Sequence, residues 1–299
     1  IAVHTEVGLI DLEEPLYHRP DLFPDALHPD PEGATLLAQT VYSALTGDYG
    51  GLQLPLLYSD NMILQRNKPL LLSGKADKGE KIRVKIAGQQ QTTCSGENGK
   101  WEVTFPPFEA GGPYTLEIRT SRQKQIYHNV WIGEVWVCSG QSNMAFPLKQ
   151  CATAQSAFRQ ARQPQIRLFH MQPYEETNAV EWRPSFLDSL NRLQYYRTTG
   201  WTETDTATIG DFSAIAYYFG KMLNDSLNVP VGLILNAVGG SPCESWIDRR
   251  TLEYDLPDIL QDWKHNDMIQ DWVRQRAGQN IRQANRKEQR HPYEPCYLF

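Results

Sequence analysis

The sequence lacks three features that would each indicate a particular class of protein. Positive charge is not in excess: the formal net charge is −6, so nucleic acid has no electrostatic attraction to the chain. No apolar run is long enough to span a bilayer. The five cysteines include no Cys-x-x-Cys pair, which argues against a structural zinc site. The composition therefore predicts a globular protein that has no nucleic-acid partner and no membrane span.

The beginning of the chain also lacks the signals of a newly made secreted protein. It opens Ile1-Ala2-Val3-His4, without a methionine or a basic n-region. This opening indicates a mature or excised piece and leaves the compartment undetermined. At 299 residues, the chain is long enough for two ordinary domains.

Residues 1–50 contain a short apolar segment and one well-marked helix. Val7–Leu12 reads as a strand. Asp30 is a good N-cap, Pro31 suits the first helical position, and Gly47 fits the C-terminal cap. Asp25 and His28 lie three residues apart just before this helix. A carboxylate can hold an imidazole in the tautomer that accepts a serine proton, although a loop histidine that happens to follow an aspartate is the alternative.

Residues 51–130 change to short alternating runs of apolar and polar residues. Asn98-Gly99 between two such runs is a strong hairpin signal. The pattern predicts a small antiparallel β-sandwich of immunoglobulin-like size. Trp101 and Tyr114 are either a stacking surface for sugars or part of the sandwich core. We favour the core, because aromatic side chains supply much of a small core.

Residues 131–299 alternate between strand and helix patterns, which predicts a parallel sheet with helices on both faces. The last fifty residues read as an amphipathic helical insertion above the sheet. Ligands of such sheets bind beyond the carboxyl ends of the strands. The pattern predicts helices at 152–161 and at 212–227, the second capped by Asp211, and strands at 166–169 and 231–235.

Ser142 follows one of these strands, after a turn at Ser139-Gly140. A nucleophile there points out of the sheet edge, and the glycine allows a sharp bend. The Gly-x-Ser-x-Gly elbow is not matched, because Met144 stands where its second glycine belongs. Gly239-Gly240 follows a later strand; it either lets the backbone approach a substrate oxygen or forms a plain tight turn.

The segment Gly-Glu-Val-Trp-Val-Cys-Ser-Gly-Gln-Ser-Asn-Met, residues 133–144, resembles the nucleophile block of the sialate O-acetylesterases, a branch of the SGNH (GDSL-like) hydrolases. Phe212–Phe219, Val229–Ile234 and Gly239–Trp246 resemble later blocks of that family, in the same order. The resemblance implies a three-layer α/β/α parallel sheet preceded by a small antiparallel β-sandwich.

For function, the resemblance implies a serine esterase that removes acetyl groups from acetylated sialic acids, with Ser142 as nucleophile. The N–H groups of Ser142 and Gly240 would form the oxyanion hole. No metal or organic cofactor is implied, and the location would be periplasmic or secreted. Acetylxylan or another acetylated polysaccharide is the alternative substrate. Glu244 and Trp246 either line the substrate or are a satisfied loop carboxylate and a core indole, and we favour the second interpretation.

The catalytic base is the point at which the chain departs from the family pattern. Asp25-x-x-His28-Pro29 resembles the block that closes an SGNH domain, yet it comes first here. The histidines at positions 128, 170 and 291 stand in no Asp-x-x-His setting, and the Asp262-Trp263-Lys264-His265 spacing falls within the segment that reads as a helical insertion. Because a serine without a base is a poor nucleophile, a non-catalytic glycan-binding protein on this fold is a further alternative.

Two arrangements explain this order. In a tandem esterase, residues 1–50 are the C-terminal remnant of one SGNH domain, 51–130 a β-sandwich spacer, and 131–299 the N-terminal part of a second domain. The remainder then belongs to a longer esterase chain, and Asp25 and His28 serve a separate site. In a circularly permuted esterase, Asp25 and His28 complete the site of Ser142. We favour the tandem form.

Overall fold

The computed structural model describes residues 9–17, 19, 22–23, 27–174, 194–197, 199–260, 271 and 274–275. The strands that it describes are β1 (Ile63–Gln65), β2 (Leu70–Lys75), β3 (Lys81–Ile86), β4 (Gln89–Cys94), β5 (Lys100–Phe105), β6 (Gly111–Arg119), β7 (Lys124–Gly140), β8 (Ile166–His170), β9 (Trp201–Glu203) and β10 (Val231–Ala237). The α-helices are α1 (Pro31–Thr46), α2 (Ser142–Ala145), α3 (Ala154–Arg159), α4 (Thr206–Gly210), α5 (Ala214–Leu227), α6 (Arg249–Tyr254) and α7 (Pro257–Leu260).

The chain divides into two compact units. One comprises Ser43–Gln172 and Thr198–Ala237, and it contains all ten of these strands. The other comprises Ile1–Tyr42, Pro173–Arg197 and Val238–Phe299. None of the helices within the described ranges is both long and apolar enough to cross a membrane.

Helix α1 forms where its capping residues predict it. The Asp30 carboxylate accepts a hydrogen bond of 2.8 Å from the Gly33 N–H, which satisfies one of the first-turn donors. Pro31 is the first helical residue, and Gly47 ends the helix with φ +76°. The strand predicted over Val7–Leu12 is wrong at residues 9–12, which form no strand. Residues 1–8 lie outside the described residues.

The β-sandwich prediction is confirmed. Strands β2 and β5 form an antiparallel pair, and strands β4, β3, β6 and β7 lie side by side in the larger sheet. Burial alternates along β3 and β5, and the inward side chains of the two sheets form one apolar core. Trp101 is only 4% exposed in that core, and Tyr114 packs against it half-buried. Core packing, not sugar stacking, is therefore the role that the fold gives these aromatics.

Strand β7 joins the sandwich to the parallel sheet. It runs for 17 residues without a break. Its first part pairs antiparallel with β6, and its last part, from Glu134 to Gly140, pairs parallel with β10. The strand thus crosses residue 130, where we placed a domain boundary; the division into 1–50, 51–130 and 131–299 stays a prediction.

The second half of β7 belongs to a mostly parallel sheet in the order β7-β10-β8-β9, with β9 antiparallel at one edge. One face packs on α5 through Val231, Leu233 and Leu235. The other face carries Phe169 of β8 and Trp201 of β9, whose side chains join the sandwich core. The mixed α/β class that we predicted is confirmed.

Two predicted helix boundaries need correction. Helix α5 begins at Ala214 and is capped by Ser213, whose hydroxyl accepts a hydrogen bond of 3.1 Å from the Ala216 N–H. Asp211 instead lies at the C-cap of α4, and Phe212 between them is fully buried. Helix α3 is shorter than the predicted 152–161. Most of the predicted insertion after residue 260 lies outside the described residues.

Candidate active site

Ser142 lies at the first position of the short helix α2, directly beyond the carboxyl end of β7, and it is exposed. Gly140 bends the chain there with φ +147°, a value that residues with a side chain rarely adopt. None of the hydrogen bonds among the described residues uses the backbone N–H groups of Ser142 or Asn143. Backbone N–H groups beside a nucleophile are the kind of donor that stabilises a developing oxyanion.

The turn that carries Ser142 is held by the start of helix α5. The Ser213 hydroxyl donates to the Met144 sulfur at 3.5 Å. The Ala214 N–H donates to the Phe146 carbonyl at 2.9 Å, and the Leu148 N–H donates to the Phe212 carbonyl at the same distance. Three contacts thus join the segment that follows Ser142 to the residues at the start of one helix.

The carboxyl ends of β7 and β10 lie side by side. Gly140 and Ala237 are register partners at the last rung of this parallel ladder, at a strand spacing of about 4.8 Å. The edge at which Ser142 emerges is therefore also the edge at which the Gly239-Gly240 segment begins, two residues after the strand. Ligands of parallel sheets bind beyond such strand ends, and Ser142 lies beyond the end of β7.

The Gly239-Gly240 segment forms a compact turn. Gly240 has φ +81°, which favours glycine at that position. The Ser241 hydroxyl donates to the Val238 carbonyl at 2.8 Å and accepts from the Trp246 indole at 3.1 Å. Trp246 is 37% exposed, so it is not the core indole that we favoured. Gly240 belongs to the unit containing Val238–Phe299 and Ser142 to the other, and their convergence stays a prediction.

Of the predicted acid–base pair, His28 is described and Asp25 lies outside the described residues. His28 sits in an exposed bend two residues before the N-cap of α1, in the same unit as Gly240. The roles of Asp25 and His28, in the site of Ser142 or in a separate one, stay predictions.

His170 is a titratable residue at the carboxyl end of the parallel sheet that the Asp-x-x-His pattern does not select. It ends strand β8, level with Leu235 of β10, and its ring packs edge-on against Phe212 with centroids 5.6 Å apart. Its Nδ1 lies 3.2 Å from the Gln172 amide nitrogen. Burial lowers the pKa of His170, against the opposing charge of Asp211, so the ring is neutral at neutral pH. Its position at the end of a predicted strand was the sequence feature that could have indicated a residue near the site.

The cysteine of the nucleophile block has a structural role. Cys138 is buried on the face of the sheet that packs on α5, and burial raises the pKa of its thiol to about 11. A protonated buried thiol is inert as a nucleophile. Within the described ranges, no group of three or more His, Cys, Asp or Glu side chains is arranged to hold a metal ion.

Comparison with known proteins identifies relatives of one kind, although no family model matches the chain. The sialate O-acetylesterase of Rattus norvegicus is 27% identical over 214 residues, which cover 66% of this chain and 38% of that protein. The sialate O-acetylesterases of Mus musculus and Homo sapiens are each 26% identical. The matches cover 66% and 65% of this chain, respectively, and 38% of each relative. The chain thus spans less than half the length of the curated relatives it matches.

A solved structure shares the fold. It is a carbohydrate acetylesterase from Xanthomonas citri, with a TM-score of 0.59 and 24% identity. The match covers 81% of this chain and 59% of that one. The chain is thus similar in sequence to the sialate O-acetylesterases, and it shares its mixed α/β fold with a carbohydrate acetylesterase.

Proposed function

We propose that the chain is the serine-bearing part of a carbohydrate O-acetylesterase and that its substrates are acetylated sialic acids. The observation that carries this proposal is the placement of Ser142, which is exposed beyond the strand end, next to backbone N–H groups that form no hydrogen bond to any described residue. The relatives named sialate O-acetylesterase support the substrate class. An acetylated polysaccharide such as acetylxylan is the alternative substrate.

The reaction proceeds by acyl transfer. The Ser142 Oγ attacks the acetyl carbonyl while an imidazole takes its proton. The carbonyl oxygen becomes an alkoxide, which the N–H groups of Ser142 and Gly240 stabilise. The C–O bond to the sugar breaks, and the imidazolium returns its proton to the sugar hydroxyl. Water then attacks the acetyl-serine by the same steps, which releases acetate and restores the serine.

The base for Ser142 is supplied, in this proposal, by a part of a longer esterase polypeptide that this sequence does not contain. The shorter length of the chain relative to its relatives supports this. Asp25 and His28 then close a separate, preceding SGNH site, and the protein is periplasmic or secreted. In the permuted alternative, Asp25 and His28 serve Ser142 directly. Replacing Asp25 with Asn and His28 with Ala separates the two, since only the permuted site loses the reactivity of Ser142.

The nucleophile is tested by labelling with a fluorophosphonate probe, followed by identification of the modified peptide. Ser142 is the residue expected to react, and Ser142→Ala is expected to abolish both labelling and acetate release. Ser139→Ala is the matched control, because Ser139 is an exposed serine three residues before Ser142, on strand β7. If the longer polypeptide is not labelled at Ser142, the chain is a glycan-binding protein and the proposal is wrong.

The substrate is tested by measuring acetate release from acetylated sialic acid and from acetylated xylan side by side. The sialic acid ester is expected to give the higher kcat/KM. A higher value with xylan would reassign the substrate class and leave the nucleophile assignment standing.

A further inference from the structure

The three residues that precede helix α5, the 211–213 segment, connect two polar side chains to the nucleophile turn. The Asp211 carboxylate forms an ion pair of 2.5 Å with the Lys149 ammonium. Phe212 packs against the His170 ring, and the Ser213 hydroxyl donates to a side chain of α2, the helix that begins with the nucleophile. A cation and an imidazole therefore lie next to a segment that also contacts the nucleophile helix.

The His170 ring offers one hydrogen-bond donor that no described residue uses. An amide NH₂ group can only donate, so the Nδ1 atom, 3.2 Å from the Gln172 amide nitrogen, is the acceptor. In a neutral ring the proton then lies on Nε2. The hydrogen bonds among the described residues include none from this Nε2–H group. His170 is the last residue of β8 and is only half-buried, so this donor is available to a ligand.

The Lys149 ammonium also has donors left for a ligand. It carries three N–H groups, and its ion pair among the described residues is with one oxygen of Asp211. The Lys149 side chain is 54% exposed, so a ligand can reach it. Burial lowers the pKa of His170 and the charge of Asp211 opposes this shift, which places the ion pair within electrostatic range of the imidazole.

The spacing between His170 and the nucleophile turn suits a single sugar. In the registers of the parallel sheet, His170 is level with Leu235 of β10, which is level with Cys138 of β7. The ends of β8 and β7 are therefore two strand spacings apart, about 10 Å. A monosaccharide whose acetyl group lies at Ser142 can extend its ring and a second substituent towards β8.

We propose that Lys149 and His170 form a subsite for the carboxylate of a sialic acid whose acetyl group is attacked by Ser142. The class of sugar comes from the proposed function, on which this subsite rests. Sialic acids carry a carboxylate at neutral pH, whereas acetylated xylose is neutral. A carboxylate accepts hydrogen bonds from an imidazole N–H and from an ammonium, and the second is charge-assisted at both ends.

The charge balance of the chain favours this assignment. With a formal net charge of −6, the protein as a whole repels an anionic sugar, so binding requires a local cation. Lys149 supplies that cation beside the nucleophile turn, and Asp211 holds it in place while N–H groups of the ammonium remain for the ligand. The subsite thus explains how a negatively charged protein would prefer a sialic acid to a neutral sugar.

The carboxylate contact is tested by comparing an acetylated sialic acid with its methyl ester, which keeps the sugar and the acetyl group but lacks the charge. Isothermal titration calorimetry on Ser142→Ala in the longer polypeptide measures Kd without turnover. The acid is expected to bind about tenfold more tightly than the ester, because hydrogen bonds to a charged group are the stronger ones. Adding Lys149→Gln should reduce this ratio to about twofold or less, whereas Lys149→Arg should retain it.

Lys221→Gln is the matched control for Lys149→Gln. Lys221 also pairs with an aspartate, Asp225 at 2.7 Å, but it lies on α5 two turns beyond the 211–213 segment. The control should keep the ratio of about tenfold. Equal Tm values for the two variants would show that neither substitution acts through folding.

His170→Phe tests the second donor, because phenylalanine keeps an aromatic ring against Phe212 and removes the N–H group. The KM for the acetylated sialic acid is expected to rise about fivefold, with a smaller change in kcat. A residue with only a structural role would instead lower the Tm and kcat, and the preference for the acid over the ester would not change.

Two results would overturn the inference: equal affinity of the Ser142→Ala protein for acid and ester, and a tenfold ratio that persists after Lys149→Gln. Neither result concerns the nucleophile, which fluorophosphonate labelling of Ser142 tests separately. If Ser142 is not labelled, the esterase proposal is wrong, yet the ratio of affinities in Ser142→Ala still decides whether the subsite binds a carboxylate.

Discussion

Gly140 is the residue whose replacement tests the geometry of the nucleophile turn most directly. In Gly140→Ala, the new Cβ would lie 3.3 Å from the Met144 Cβ, closer than ordinary contact, at a residue whose φ is +147°. A side chain in such a conformation costs about 1–3 kcal/mol. Part of that strain is relieved if α2 moves away from Gly140, and because Ser142 begins α2, the nucleophile moves with it.

The expected result for Gly140→Ala is a loss of reactivity greater than the loss of stability. The free energy of unfolding should fall by about 1–3 kcal/mol, which lowers the Tm by about 2–10 °C. Displacing a nucleophile by a fraction of an ångström should slow acylation about tenfold or more. Thermal unfolding and the rate of fluorophosphonate labelling measure the two effects on the same samples.

Gly79→Ala is the matched control for Gly140→Ala. Gly79 also has a positive φ, of +70°, but a Cβ there would meet nothing within 4 Å, and the residue lies in a sandwich turn. The control should therefore lose comparable stability, about 1–2 kcal/mol, and keep the labelling rate. If Gly140→Ala is labelled as quickly as the unchanged protein, the turn does not position Ser142 and the reasoning is refuted.

Three further predictions concern the surroundings of the turn and the sandwich. Ser213→Ala removes the cap of α5 and the contact to Met144. Chemical denaturation should show a free energy of unfolding lower by about 1 kcal/mol, and fluorophosphonate labelling of Ser142 should slow. Ser213→Thr should restore the cap. Burial raises the pKa of the Cys138 thiol from its ordinary value of 9.0 to about 11, so the stability that the protonated thiol contributes is complete below pH 9 and is lost as the pH rises towards 11. Urea unfolding should show this decline in the free energy of unfolding, which is on the order of 2 kcal/mol. Cys138→Ala should lack the decline. Trp101→Ala should cost about 3–5 kcal/mol and Trp101→Phe much less, and glycan binding that is lost in the folded Phe variant would contradict the core assignment.

Local chemistry explains which parts of the fold could be predicted from the sequence. Helix α1 was predictable because Asp30, Pro31 and Gly47 act within one turn of the residues they cap. The sandwich strands were predictable because alternate residues face one core. These signals need no knowledge of distant contacts.

Tertiary contacts explain the errors. Asp211 is as good a capping residue as Ser213, but Phe212 between them is fully buried, and the helix can begin only after that side chain has turned into the core. Similarly, the residues of β7 match the end of the sandwich pattern and the start of the strand–helix pattern, so the sequence predicts a domain boundary within the strand. Its partner changes from β6 to β10 while the strand itself continues, and pairing partners are not visible in a single segment.

The candidate site likewise contains features that local sequence predicts and one residue whose position depends on distant contacts. The exposed position of Ser142 beyond a strand end and the bend at Gly140 were predictable because a strand-to-helix turn is a local feature, whereas the role of Ser142 stays a prediction. His170 was missed because its place near the sheet edge depends on β8 pairing with β10, some sixty residues later in the chain. A motif search that requires an aspartate three residues away excludes such a histidine whatever its position in the fold.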